Sequence, residues 1–202
     1  MIHNLEKHIN YLHQTPSDIN QHLPTIIKYG QECEHITEMG VRGILSTWGW
    51  LAASPKKLIA YDIENPSNWN SNIQDVYDTA EAYNLDFTFI KADVLKIEIE
   101  ETDLLFLDTL HVHNQLKSEL KLHSGKVKKY ICFHDTTSYE NRNEVSLEHQ
   151  PDYSAVLGEG YDINKQGLWS VVEEFLDQNK DTWRLKERFT NNNGFTIIER
   201  IK

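Results

Sequence analysis

Three apolar runs in this chain end on charged or imidazole side chains, and no other feature of the sequence restricts its fold as much. The first, His35-Ile-Thr, leads into Glu38-Met-Gly-Val-Arg-Gly43. The second is Leu104-Leu-Phe-Leu-Asp-Thr-Leu-His111, and the third is Tyr130-Ile-Cys-Phe-His-Asp135. Short unbroken apolar runs suit strands buried on both faces, the condition of a parallel sheet. In an open parallel sheet, ligands bind just beyond the carboxyl ends of the strands. Acids and histidines at three such ends predict a cofactor site with reactive groups beside it.

The order of elements points the same way. A helix is expected over residues 4–14, and a second from the start signal Thr15-Pro16-Ser17-Asp18 to Gly30. Strands are expected at His35–Met39, Lys57–Asp62, 87–90, 104–107 and 130–133, with helices at 44–53, 71–83 and 115–122 between them. Leu168, Val171, Val172, Phe175 and Leu176 mark one more amphipathic helix. Two β-rich runs, Trp183–Phe189 and 194–198, flank the turn residues Asn191-Asn-Asn-Gly194 and should pair antiparallel. The predicted fold is α/β: a Rossmann-like, seven-stranded, mostly parallel sheet with a C-terminal antiparallel hairpin and helices on both faces. One domain is expected over residues 1–202, with 1–30 as N-terminal helices. Residues 136–166 show no periodicity, and a stretch of that length reads as a substrate-covering loop.

Composition narrows the partners. A formal charge of −11 argues against nucleic acid or an anionic membrane, since phosphate binding needs concentrated Lys and Arg. Lys126-Val-Lys-Lys129 reads as a solvated helix C-terminus ahead of a strand. No apolar run approaches the roughly 20 residues of a membrane span, and the polar start lacks a signal-peptide core, so the cytoplasm is expected. Two cysteines, Cys33 and Cys132, are too few for a disulfide or metal framework and read as free thiols.

In Glu38-x-Gly40-x-x-Gly43 the glycines permit a tight turn and close backbone approach to a ligand. Glu38 would repel a pyrophosphate and suits a cation or an amino group. Asp62 lies about 20 residues on, where an acid accepts the ribose hydroxyls of an adenosine cofactor; capping a turn is its other reading. Asp93 could stand near the adenine amino group.

The chain resembles the small sugar and macrolide O-methyltransferases and the cephalosporin hydroxylase-like proteins, a group within the class I S-adenosylmethionine-dependent methyltransferases. The resemblance rests on Glu38-Met-Gly-Val-Arg-Gly-Ile-Leu-Ser-Thr47, Asp103 to His111 followed by Gln115-Leu-Lys-Ser-Glu-Leu120, and Phe133-His-Asp-Thr136. It extends to Gly167-Leu-Trp169 and Asn191-Asn-Asn-Gly194, and so covers most of the chain from Asp18. It implies S-adenosylmethionine as cofactor, held by Glu38, Gly40, Gly43, Ser46, Asp62, Ile63, Asp93 and Asp108. It also implies a divalent cation, Mg or Mn, on Asp108, His134 and Asp135. His134 departs from the acid expected there, and imidazole suits Mn²⁺, Fe²⁺ or Zn²⁺ better than Mg²⁺. The catalytic candidates are His111 as general base, with Asp108 and His134 beside it.

The function expected is methyl transfer to the hydroxyl of a small-molecule or glycan acceptor, a sugar or glycoside first of all, with self-association left open. Two rivals stand beside it. One is a metal-dependent hydroxylase-like protein on the same fold, and the other a non-catalytic nucleotide-binding module.

Overall fold

The computed structural model describes residues 4–202. Its centre is a seven-stranded sheet of order β3-β2-β1-β4-β5-β7-β6. The strands are β1 His35–Met39, β2 Lys57–Asp62, β3 Asp86–Lys91, β4 Thr102–Leu107, β5 Val127–His134, β6 Trp183–Phe189 and β7 Phe195–Arg200. The first five run parallel, while β7 pairs antiparallel with both β5 and β6. This is the predicted sheet. The chain leaves β3 at one edge and re-enters as β4 on the other side of β1, so the strand order reverses at β1 and β4. A crevice opens at such a point.

Alternation along the central strands builds two cores. Ile36, Leu104, Phe106, Cys132 and Ile197 face one layer, where they meet helices α1 Leu5–Gln14, α2 Leu23–Gly30, α3 Leu45–Ala52 and α4 Ile73–Ala82. Met39, Leu105, Leu107, Ile131, Phe133 and Ile198 face the other, against α5 His113–His123 and α7 Trp169–Gln178. The period of two thus survives even through the apolar stretches of β4 and β5, because both faces are covered.

Several boundaries differ from the sequence reading. The second helix begins at Leu23, not after Asp18, because Ser17 and Asn20 close a turn through Ser17 Oγ and Asn20 Oδ1. Strand β5 starts at Val127, so Lys128 and Lys129 lie on the strand itself, not at a helix end. The acidic run beside them explains this, since Lys126 pairs with Glu98 (2.7 Å), Lys128 with Glu101 (2.9 Å) and Lys129 with Asp103 (3.8 Å). Both cysteines are free and buried.

Residues 136–166 form a folded strap with a four-residue helix, α6 Ser154–Leu157. Asn143 Oδ1 accepts from the amides of His113 (2.9 Å) and Gly167 (3.1 Å), joining both ends of the strap to α5. Tyr153 packs with Val112 and Leu157 in a small core of its own. Short polar side chains that fix backbone do the work here, and they leave no periodic signal.

Candidate functional site

The turn after β1 is set by close approach. Gly40 has φ +90°, and a Cβ there would lie 2.0 Å from the Asp108 carbonyl oxygen, so only glycine fits. Gly43 needs no such freedom, as a Cβ would meet only ordinary contacts. The left-handed positions beyond Gly40 belong to Arg42 (φ 40°) and Ile44 (φ 57°). Asp62, at the tip of β2, holds this turn. Its Oδ2 accepts from the amides of Val41 (2.7 Å) and Arg42 (2.9 Å), and its Oδ1 from the amide of Glu64 (2.8 Å).

Along these tips runs a cavity of about 390 Å³, lined by Gly40, Asp62, Ile63, Asp93 and Asp108 among others. That is within the roughly 300–1,000 Å³ usual for small-molecule sites. Asp93 stands on its wall, but its carboxylate caps the turn at Leu95 (3.0 Å) and pairs with Lys96 (2.9 Å). A second cavity of about 470 Å³ lies alongside, lined by Asp18, Gly43, Ser46, His111, Asp135 and Glu144. Arg42, Trp69, Asp108, Thr109 and Leu110 border both. The Arg42 guanidinium stacks over Trp69 at 4.8 Å.

Glu38, Gly43 and Ser46 were expected at the cofactor, and none of them lines the first cavity. Glu38 is fully buried and lines neither cavity. Its carboxyl accepts from Ser46 Oγ (2.6 Å) and Thr47 Oγ1 (2.7 Å), locking β1 to α3. Burial pushes its pKa up to about 8, held back by those two hydroxyls. Gly43 and Ser46 border the second cavity only.

The tips of β4 and β5 bring Asp108, His111, His134 and Asp135 together. His111 Nε2–H reaches Asp108 Oδ1 (3.2 Å) and Asp135 Oδ2 (3.1 Å), while Nδ1–H donates to Glu144 (2.9 Å). The Tyr139 ring stacks on the imidazole at 4.7 Å. Burial alone would lower the His111 pKa, but the bonds to Asp108 and Glu144 and the nearby carboxylate charges outweigh it and raise it to about 10. A histidine protonated at both nitrogens cannot take a proton, so His111 is not a free general base in this arrangement.

His134 sits behind the acids. Its Nδ1–H faces Asp108 Oδ1 (3.3 Å) and Asp135 Oδ2 (3.4 Å), and its Nε2–H faces the carbonyl of Asp18 (3.1 Å). Burial again opposes the charge, and Asp108 and Asp135 overcome it, so the pKa is raised well above the usual value. The Asp108 carboxyl is held well below the ordinary range: His134 and His111 outweigh the effect of its burial. Asp135 adopts φ 58°, and its buried Oδ1 has no hydrogen-bond partner.

Among the described residues, the side chains with ligand atoms all within 4.8 Å of one another are Asp108, His111 and Asp135. His111 thus stands in this set beside Asp108 and Asp135, while His134 faces the same two carboxylates through Nδ1 and the Asp18 carbonyl through Nε2. The 3.1 and 3.2 Å separations fit one ion, since ligands about 2.1 Å from an octahedral centre stand roughly 3 Å apart. The Glu144 contact to His111 Nδ1 is the outer partner that metal-binding histidines usually have.

Sequence reasoning missed Glu144, Thr109, Gln115, Glu119 and the Arg42–Trp69 pair. Glu144 lies in the aperiodic stretch and carried no signal. Gln115 and Glu119 lie one helical turn apart in Gln115-Leu-Lys-Ser-Glu-Leu120, and that spacing was the available clue.

The sequence matches no protein-family profile and no curated protein. Solved structures do match across the whole fold. A Staphylococcus aureus protein provisionally assigned as a caffeoyl-CoA O-methyltransferase aligns over 98% of this chain and 93% of its own, at 11% identity and a TM-score of 0.61. The O-methyltransferase TomG of Streptomyces achromogenes, in complex with S-adenosylmethionine, aligns over 100% and 92% at 10% identity and 0.60. The N-methyltransferase NodS of Bradyrhizobium japonicum, bound to S-adenosylhomocysteine, aligns over 98% of each chain at 10% identity and 0.57. The chain has the fold of these methyltransferases.

Proposed function

We propose that the protein is an S-adenosylmethionine-dependent O-methyltransferase that methylates a hydroxyl of a sugar or glycoside. The observation that carries this reading is the pair of adjoining cavities with Asp108 in their shared wall. One runs along Gly40, Asp62, Ile63 and Asp93, where an adenosine cofactor would lie. The other opens onto His111, Asp135 and Glu144, where the acceptor would lie. The printed names of the neighbours include both O- and N-methyltransferases, so choice of an oxygen acceptor rests on the acidic cluster.

In the reaction the hydroxyl oxygen attacks the sulfonium methyl, a C–O bond forms, the S–C bond breaks, and the hydroxyl proton leaves. Holding oxygen and methyl in line supplies most of the acceleration. Asp135 lines the acceptor cavity and has a carboxylate oxygen, Oδ1, without a hydrogen-bond partner, so Asp135 receives the proton. In the metal-free arrangement His111 keeps its hydrogen bonds and orients both carboxylates. A divalent cation held by Asp108, His111 and Asp135 would take the place of the His111 Nε2 proton and would lower the pKa of the bound hydroxyl. That donor set suits Mn²⁺, Fe²⁺ or Zn²⁺ better than Mg²⁺. The hydroxylase-like alternative draws on the same three side chains but leaves the cofactor cavity without a role.

Calorimetric titration with S-adenosylhomocysteine tests the cofactor, and no binding at millimolar ligand would remove the proposal. Methyl transfer to monosaccharides and glycosides, run with and without chelator, tests the acceptor and the cation.

A further inference from the structure

Gln115 and Glu119 lie one turn apart on α5, and the reaction above uses neither. Gln115 lines the cofactor cavity beside Val94, Leu95, Thr109 and Leu110. Its Nε2 donates to Glu119 Oε1 (2.7 Å), and Thr109 Oγ1 donates to the same oxygen (2.5 Å). Glu119 is itself 1% exposed. Because the two donors converge on Oε1, a proton on this carboxyl would sit on Oε2, and the Gln115 amide keeps its orientation in either state. Its nitrogen therefore faces Glu119, and its carbonyl Oε1 is left over as an acceptor at the cavity wall.

The acid expected to read the adenine amino group is not free. Asp93 spends one oxygen on the Leu95 amide and the other on Lys96. We propose that Gln115 Oε1 is the acceptor for the exocyclic amino group of the cofactor's adenine, and that Glu119 is the positioning residue that keeps the amide turned that way. This rests on the cofactor reading above. A 6-amino purine donates to Oε1. A 6-oxo purine would place an acceptor against an acceptor and leave both unpaired, the situation in which polar sites discriminate most strongly.

The test is calorimetric titration of the full chain with S-adenosylhomocysteine and with S-inosylhomocysteine. The wild type should prefer the adenosine compound by about tenfold or more. Gln115→Met removes the acceptor at similar size, and Glu119→Met removes the oxygen that holds the Gln115 nitrogen, so the amide is free to turn. Each should bring the ratio within about threefold, whereas Asp93→Asn should leave it as in the wild type. A purely structural role for Glu119 would lower both affinities together and leave the ratio intact. A ratio unmoved in Gln115→Met, or lost in Asp93→Asn alone, overturns the proposal while leaving the cofactor reading in place. A wild type that binds neither compound removes the cofactor reading, and this inference with it.

Discussion

Asp62 holds the turn after β1 and, in the proposed function, faces the cofactor's ribose. Its carboxylate holds the Val41, Arg42 and Glu64 amides, so Asp62→Ala loosens the turn and, on that proposal, also removes a ribose partner. Charge-assisted bonds of this kind contribute about 1.5–3 kcal/mol. Affinity for S-adenosylhomocysteine should therefore fall at least about tenfold by calorimetry. Unchanged affinity would place the ribose elsewhere. Glu144 makes a sharper test of the cation. Glu144→Gln keeps the shape but removes the charge facing His111 Nδ1. Outer-shell changes of this sort cost about 10–100-fold in metal affinity. The divalent ion concentration needed for half-maximal methyl transfer should rise by that factor, with cofactor affinity unchanged. An unshifted metal titration would detach Glu144 from the site.

At the scale of elements, the β1–α3 turn and the strap behave oppositely. Gly40 is jammed against the Asp108 backbone at positive φ, so Gly40→Ala must displace the tip of β4. Chemical denaturation should show a loss of more than about 3 kcal/mol, if the variant folds. The strap instead hangs on a few polar ties. In hydrogen exchange, the amides of Glu144 and Leu168, bonded to His111 and Tyr139 carbonyls, should be protected without any ligand. Asn143→Ala removes the acceptor shared by His113 and Gly167 and should speed exchange at both. Equal, fast exchange along the whole strap in the wild type would contradict this docking.

For the whole molecule, buried proton-binding groups set the pH dependence. Folding raises the pKa of Glu38 to about 8 and Glu119 to about 7 from 4.5, and of His111 to about 10 from 6.5. The folded state therefore binds more protons, and stability falls as pH rises. The acids' share is lost from about pH 4.5 to 8 and that of His111 from about 6.5 to 10. The Asp108 shift runs the other way but acts only at acid pH below this window. His8, His22, His113 and His123, whose pKa values burial lowers, oppose this up to about pH 6.5, so the Tm of the ligand-free chain should drop between about pH 6.5 and 8.5, and Glu38→Gln should flatten that drop. A flat wild-type profile would mean that these groups titrate normally. The described residues include no helix long and apolar enough to cross a membrane. The sequence by itself determined the sheet: unbroken apolar runs between amphipathic helices permit only strands covered on both faces, and Asn191-Asn-Asn-Gly194 permits only a reversal between the last two. It also put Asp108, His111, His134 and Asp135 at neighbouring strand tips, because chain order and strand ends are local properties. What each side chain does there was decided only by tertiary contact. Glu38 turns inward to two hydroxyls of α3, and His134 is enclosed by carbonyls of the N-terminal segment and the final turn. Glu144 arrives on His111 from a strap with no periodic signal. Burial and hydrogen-bond partners set protonation, and those partners lie up to 116 residues apart.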